Sequence, residues 1–444
     1  MRLTILGAGE TGAGTAVLAR QKGYDVFVSD AGPIADKYKQ VLNDHAVAWE
    51  EGKHTAELVL QADIIVKSPG IPPTAPMVEQ AVERGIPILS EIEFAGRYTD
   101  AKMICITGSN GKTTTTKLIH HILCSAGFDA ALAGNVGRSM AMQVAESKHN
   151  WYVLELSSFQ LENMYDFRAN IALVLNITPD HLDRYGFQMQ PYVEAKMRIG
   201  QNQEASDSFI YWQDDEYVAD ELRKSPTSAC KLAFGDTQDE CNVAYVKDGI
   251  MTIVQPRAFS MPVSDLSLRG KHNVRNCMAA ALAALAAGVP EEALRRALSD
   301  FPAVPHRLEP AGEANGVAYI NDSKATNVDA CYYALDAMTT PVVLIIGGLD
   351  KGNDYAQIIP LIKQKCRALV YLGADNTKLH ATFDSLGLPV YDTHSMSDCM
   401  QACQQAAERG DTVLLSPCCA SFDLFNGMAE RGNMFKEEVS KLRS

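Results

Sequence analysis

A chain of 444 residues is long enough for roughly three domains of about 150 residues each, and 47% hydrophobic content supplies several cores, which excludes a disordered or fibrous protein. Its 40 basic against 54 acidic side chains leave a net charge of −14, a field that repels nucleic acid and anionic membranes, so neither is expected as a partner. A single anionic metabolite remains possible, because a local nest of backbone donors can hold it against that field.

Apolar runs of strand length alternate with amphipathic stretches along the whole chain, the pattern of parallel sheets covered by helices, so the expected class is α/β. The start, MRLTILGAGETG, enters a strand and a glycine turn at once, without the apolar region and cleavage site of a signal peptide, and a cytoplasmic protein is expected. Residues 1–97 read as strand LTILGAG, helix, strand DVFVSD, helix, strand ADIIVKSPG, helix and strand PILS, a small Rossmann-like domain. Residues 98–302 read as a central phosphate-loop ATPase-like domain. It opens with a strand at Met103, continues with WYVLELSS and ANIALVLNIT, a helix near 192–199 and an irregular polar region to about Leu268, and closes with a helix over 273–287. Its Ala-rich stretch 278–288 is far shorter than the ~18 to 20 residues that span a bilayer. The prolines of FPAVPHRLEP, 301–310, suggest an extended linker. Residues 303–444, with strands GVAYIND, PVVLIIGG, RALVYLG and DTVLLSP, read as a Rossmann-like C-terminal domain. The 11 cysteines are scattered without a CxxC, and neither Cys399 and Cys403 nor Cys418 and Cys419 has a histidine at metal spacing, so reduced thiols are expected.

The strongest local signal is CITGSNGKTTTT, residues 105–116, an apolar strand running into a small-residue loop and a helix that begins near Lys112. Loop and helix N–H groups of this kind converge on phosphate oxygens, Lys112 neutralises phosphate charge, and Thr113 offers a hydroxyl to Mg²⁺. Ile106 stands where the strict phosphate-loop pattern has its first glycine, so the loop is a variant. A second signal is GAGETG, 7–12, with Asp30 ending the next strand 18 residues beyond Gly12. A helix N-terminus accepts any diphosphate, so this pattern suits a nucleotide sugar or NAD, and a purely structural turn is the remaining reading. Glu155 ends the strand in VLELSSFQ, and Asp180, His181 and Asp183 in NITPDHLDRY come just after the next strand; at such strand ends carboxylates of phosphate-loop enzymes hold Mg²⁺. On its own, Lys196 in YVEAKMRI reads as a solvated helix lysine. PHRLE, NDSKATN, GGLDKGND and SPCCASFD place further polar clusters at strand ends or in the linker, where turn residues and helix caps are the alternative.

Taken in order, GAGETG, SPGI, ITGSNGKTT, GNVG, ELSSFQL, NITPDHLDRY, EAKMRI, GKHNVRN, PHR, NDSKATN, GGLDKG and LSPCCASFD resemble the ATP-dependent Mur ligases, within them the branch carrying NDSKATN. That resemblance implies a ligase adding D-glutamate to UDP-N-acetylmuramoyl-L-alanine through an acyl phosphate, in peptidoglycan synthesis. It implies ATP, two Mg²⁺ ions, a carbamylated lysine at Lys196 and a monomer. Carried over by motif, Gly108, Ser109, Asn110, Gly111, Lys112, Thr113 and Thr114 cradle ATP, with Asn273, Asn276, Arg307 and Asp322 on its adenine and ribose side. Thr113, Glu155, His181 and carbamylated Lys196 match the metal ligands, and Lys112, Glu155, His181 and Lys196 the catalytic set. Thr11, Asp30, Gly70 and Asn135 match UDP-sugar contacts; Lys324, Thr326, Lys351, Ser421 and Phe422 match D-glutamate contacts. Ala31 and Gly32 stand where the family often has polar or basic residues on the uracil side. The competing expectation is an NAD-dependent oxidoreductase built on the N-terminal glycine turn, which leaves the 105–116 loop and NDSKATN without a role.

Overall fold

The computed structural model describes residues 1–268, 270–302 and 304–442 and contains three open sheets. Ala303 of the expected linker and the last two residues of the expected third domain lie outside the described residues. The chain divides into two compact units, Met1–Arg269 with Asn273–Phe301, and Gly270–His272 with Pro302–Ser444.

The first unit carries two of the sheets. In the N-terminal one the strands run in the order Ala48–Glu50, Asp25–Ser29, Arg2–Leu6, Ile64–Lys67, Ile88–Leu89, all parallel. Strand order reverses at Arg2–Leu6, so the crevice beyond its carboxyl end, beside that of Ile64–Lys67, is the switch point where such sheets take ligands. The buried run Ile64, Ile65, Val66 shows why these strands lack alternation: both faces are covered by helices.

The second sheet has nine strands, and its phosphate-loop strand Lys102–Thr107 lies between Trp151–Glu155 and Ile171–Val174. The region expected to be irregular up to Leu268 is instead ordered: Ser208–Trp212, Cys230–Phe234 and Ala244–Lys247 extend the parallel sheet, and Ile250–Ile253 and Phe259–Pro262 add an antiparallel edge. Those strands are short and partly solvated, for instance CKLAF with two exposed residues, so their sequence lacks the continuous apolar run of a central strand. Helix Lys271–Ala287 buries residues on every side, from Asn273 and Val274 through Leu285, because its alanines let neighbours approach closely and favour helix intrinsically.

The second unit holds a six-stranded sheet ordered Glu309–Ala314, Val317–Asn321, Thr412–Cys418, Val342–Gly347, Cys366–Leu372, Val390–Thr393. The expected linker over 301–310 therefore ends early: a strand starts at Glu309 and includes Pro310. Proline is tolerated there because Glu309–Ala314 is the outer strand, antiparallel to Val317–Asn321 and with no second strand neighbour among the described residues, and the register shifts between Pro310 and Gly312. Among the described residues no helix is long and apolar enough to cross a membrane.

Candidate active site

The turn after Lys102–Thr107 is built for close approach by backbone. Gly108 and Gly111 have φ of +149° and +85°, and a Cβ on Gly111 would stand 2.4 Å from Asn276 Oδ1. The loop is pinned from the neighbouring strand end: Ser109 N–H donates to the Asn176 carbonyl (2.8 Å), Asn110 N–H to Asn176 Oδ1 (2.8 Å), and Asn176 Nδ2 to the Asn110 carbonyl (3.0 Å). Ser109 Oγ donates to the Thr178 carbonyl at 2.7 Å and lies 3.0 Å from the Tyr192 hydroxyl. Helix Lys112–Ser125 starts directly from this turn, with Thr113 and Thr114 buried in its first turn. Its Lys112 ammonium donates to the carbonyls of Gly108 (2.7 Å) and Ser109 (2.9 Å). Asn273 and Asn276 are buried one helical turn apart, with Asn276 Nδ2 donating to Asn273 Oδ1 at 3.2 Å.

Glu155 ends the neighbouring strand and is 2% exposed. Asn135 Nδ2 donates to its Oε1 at 2.9 Å, while Oε2 is buried with no hydrogen-bond partner among the described residues. An unpaired buried carboxylate oxygen is costly unless a cation completes it, so the donor set fits a hard divalent ion such as Mg²⁺. His181, at φ +53°, precedes the short helix Leu182–Tyr185 and packs edge-on against Phe159 with ring centroids 5.2 Å apart. Its Nε2 lies 3.6 Å from Asp180.

Lys196 corrects the residue-level reading. It is not solvated but 2% exposed, on helix Met189–Met197, with its Nζ donating to the Gly108 carbonyl at 2.8 Å and lying 4.5 Å from the Tyr192 ring centroid. Burial first, then the nearby Lys112 charge, holds this amine well below its usual range, against the opposing pull of Asp180. Polarity alone concealed this, because the helix has no sharply apolar face and the burial comes from the loop packed on it.

On the first sheet, Gly7 turns at φ +92°, and a Cβ there would stand 2.4 Å from Ser68 Oγ; one on Gly12 would stand 1.9 Å from the Gly7 carbonyl oxygen. Asp30 accepts from Ala8 N–H (2.7 Å) and Gly32 N–H (2.9 Å), so it braces the turn from the next strand. Thr11 lies in the first turn of helix Glu10–Gln21, and Gly70 is exposed in the Ser68–Ile71 loop. Two cations missed in the sequence hold that loop. Buried Lys67 donates to the Ile71 carbonyl at 2.7 Å, and Arg184, whose Nη2 lies 2.7 Å from Glu162, donates to the Pro69 carbonyl at 3.1 Å. Their signal was adjacency: each sits beside a motif, in KSPGI and DHLDRY.

In the second unit the remaining residues follow the carboxyl ends of three adjacent strands: Asp322, Lys324 and Thr326 after Val317–Asn321, Ser421 and Phe422 after Thr412–Cys418, Lys351 after Val342–Gly347. Leu349 N–H donates to the Ala420 carbonyl at 2.9 Å, tying two of these loops together. Asp322 accepts from Leu308 N–H (3.1 Å) and Ser416 Oγ (3.0 Å). Burial pushes its carboxyl up to about 7, against the pull of Arg307 and those hydrogen bonds. Ser421 is buried, Phe422 is 69% exposed, and Lys351 is exposed. Arg431, unnoticed in the sequence, is buried and donates from Nε to Ser323 Oγ (3.0 Å) and from Nη2 to the Ser323 carbonyl (2.9 Å), fixing the NDSKATN segment from helix Met428–Lys441.

Three family descriptions match in order: the Mur ligase MurD-like N-terminal domain over residues 1–90, the Mur ligase middle domain over 106–284, and the glutamate ligase domain of Mur ligases over 306–419. The chain is 57% identical over 442 residues to a UDP-N-acetylmuramoylalanine--D-glutamate ligase of Bacteroides fragilis, covering 99% of this chain and 100% of that protein. It is 56% identical to the ligase of the same name from Bacteroides thetaiotaomicron, with 99% and 100% covered. Among solved structures it is similar to UDP-N-acetylmuramate-alanine ligase MurC from Thermotoga maritima, at a TM-score of 0.62 and 17% identity over 99% of both chains. MurF ligase from the same organism, solved with ADP, matches at a TM-score of 0.60 and 16% identity over 94% of this chain and 96% of that one. At such identities the two structures speak to the fold alone.

Proposed function

Because the chain belongs to the Mur ligase family, we propose that it is the ATP-dependent ligase that joins D-glutamate to UDP-N-acetylmuramoyl-L-alanine in peptidoglycan synthesis. Full-length identity of 57% to ligases bearing that activity in their name supports this reading, and the oxidoreductase alternative has no support. The observation that carries it is the convergence of Lys112 and Lys196 on the phosphate-loop carbonyl of Gly108.

In this reading residues 1–97 bind the UDP-sugar, 98–302 bind ATP, and 303–444 bind D-glutamate. The loop amides of 108–114 and the Lys112 ammonium hold the triphosphate, with Asn273, Asn276, Arg307 and Asp322 serving its nucleoside end. The alanyl carboxylate takes the γ-phosphoryl group and ADP leaves; the D-glutamate amine then attacks the acyl carbon, phosphate leaves with its electron pair, and the amine gives up its proton. Two anions meet in the first step, so cancelling their repulsion is the main task of the site. Magnesium supplies that neutralisation when bound, and Thr113, Glu155, His181 and carbamylated Lys196 are the residues that would hold two ions.

Lys196 suits its role because a neutral buried amine adds to the carbon of CO₂, losing a proton and gaining a carboxylate-like group. Asn135 orients Glu155 and, with Thr11, Asp30 and Gly70, contacts the UDP-sugar. Lys324, Thr326, Lys351, Ser421 and Phe422 receive D-glutamate, Lys351 pairing with a carboxylate. The enzyme acts as a cytoplasmic monomer. Phosphate release is the test, measured with UDP-N-acetylmuramoyl-L-alanine, ATP and a panel of L- and D-amino acids. Release confined to D-glutamate is expected; release with another amino acid, or none, overturns the assignment.

A further inference from the structure

A polar cluster on the first sheet lies outside the glycine turn. Ser29 ends strand Asp25–Ser29, is fully buried, and places its Oγ 2.8 Å from Glu50 Oε1 and 2.6 Å from His54 Nδ1. Glu50, which ends the outermost strand Ala48–Glu50, also accepts from Thr55 N–H at 2.7 Å and from Thr55 Oγ1 at 2.6 Å. Burial favours its protonated form, but the hydrogen bonds from Thr55 and Ser29 outweigh it and hold the carboxyl below its usual range. Glu50 is therefore an acceptor only.

Proton bookkeeping then settles the histidine. Ser29 has one hydroxyl proton. Were it aimed at His54, a hydroxyl oxygen and a carboxylate oxygen would face each other at 2.8 Å with no proton between them. The Lys53 carbonyl, at 3.4 Å, is a neutral and more distant acceptor. The proton goes to Glu50, Ser29 Oγ accepts from His54, and the neutral imidazole carries its hydrogen on Nδ1. Nε2 is left as a lone-pair acceptor, and among the described residues no protein donor engages it.

The position of this acceptor follows from the strand order. A diphosphate at the Gly7–Gly12 turn and a sugar near Asp30 carry the base outward across the sheet, from Asp25–Ser29 toward Ala48–Glu50. The loop holding His54 follows that outer strand and is tied to the Asp30 segment: Gly52 N–H donates to the Gly32 carbonyl (3.1 Å) and Lys53 N–H to the Asp30 carbonyl (3.3 Å). We propose that His54 is a specificity-determining residue for the nucleobase, its Nε2 accepting the N3–H of a uracil ring. Cytosine has a lone pair at that position and meets lone pair with lone pair. The inference rests on the assignment of the UDP-sugar to the N-terminal domain and names the group that reads its base.

The test uses the full chain, with UDP and CDP as probes in calorimetry and histidine ¹⁵N spectra. Wild type is expected to bind UDP about tenfold or more tighter than CDP. His54→Phe is expected to weaken UDP about tenfold and to erase the preference. In wild-type protein, which removes any question of folding, the ring of His54 is expected to show the Nδ1–H tautomer, with Nε2 shifting on addition of UDP and not of CDP. A variant that binds UDP with its preference intact, or an Nε2 that is protonated or unmoved while UDP binds, overturns the base reader alone. Wild type that binds neither nucleotide overturns the UDP-sugar assignment and this inference with it.

Discussion

Lys112 and Lys196, 84 residues apart in the chain, donate to the same oxygen, the Gly108 carbonyl, at 2.7 and 2.8 Å. Burial first, and then the Lys112 charge beside it, pushes Lys196 toward the neutral amine, and in the proposed mechanism the phosphate charge falls to Lys112. Lys112→Ala is therefore expected to lower ligation by about 10²- to 10³-fold, the usual loss for one electrostatic donor. Circular dichroism should be unchanged. Substantial turnover by this variant would remove the phosphate-loop assignment.

Lys196→Ala tests the other member. The variant should lose ligation by a similar factor, and millimolar formate or acetate should restore part of it by replacing the carbamate oxygens. Wild type assayed in CO₂-depleted buffer should lose activity that bicarbonate returns. Full activity of the unaided variant contradicts the carbamate role.

Glu155 and Asn135 separate charge from orientation. With Oε2 unpartnered among the described residues and Oε1 held by Asn135 Nδ2, Glu155→Gln should abolish stabilisation of the protein by Mg²⁺ in thermal melts with nucleotide present. Asn135→Ala should weaken the Mg²⁺ dependence of that stabilisation about 10- to 100-fold, the range for losing a group that orients a metal ligand. An unchanged Mg²⁺ titration in both variants would place the ion elsewhere.

What could be read in the sequence followed from how each signal is encoded. Phosphate-loop chemistry is local, since glycines, lysine and threonine adjoin in 108–114, and the fold class shows wherever strands are buried on both faces, as in Val342–Gly347. Read from its own neighbours, Lys196 looked solvated, because its burial depends on Gly108, far away in sequence, and only the family resemblance gave it a role. Pro310 misled for a related reason: proline disfavours a central strand, and only the sheet order reveals that Glu309–Ala314 is an edge. The 208–262 strands failed on periodicity, being short and half solvated.

Gly111 and Gly9 make a matched pair for stability. Gly111 has φ +85° and its added Cβ would meet Asn276 Oδ1 at 2.4 Å, whereas Gly9 has φ −73° and nothing within 4 Å of its added Cβ. Gly111→Ala should cost about 1 to 3 kcal/mol in urea unfolding and impair ATP binding. Gly9→Ala should stay within about 0.5 kcal/mol. Equal effects would mean that backbone conformation and the Asn276 contact are not what glycine serves at 111.

Lys67 gives the fold a pH signature in the alkaline range. Burial first, and then the Arg184 charge, lowers its amine to about 8 from the usual 10.5, with Glu162 opposing. Below pH 8 both folded and unfolded chains carry the proton, so the burial penalty is constant. Between about pH 8 and 10.5 the unfolded chain binds more protons than the folded one, and stability contributed by this group rises with pH. The gain is on the order of 3 kcal/mol across the window. Lys67→Met removes the titration, so below pH 8 the variant should be the more stable protein by a few kcal/mol, less about 1 kcal/mol for the lost bond to the Ile71 carbonyl. That advantage should fade as the pH approaches 10.5. Urea denaturation at pH 7 and 9.5 measures it, and a difference that stays constant between the two would show that Lys67 does not lose its proton within the folded chain.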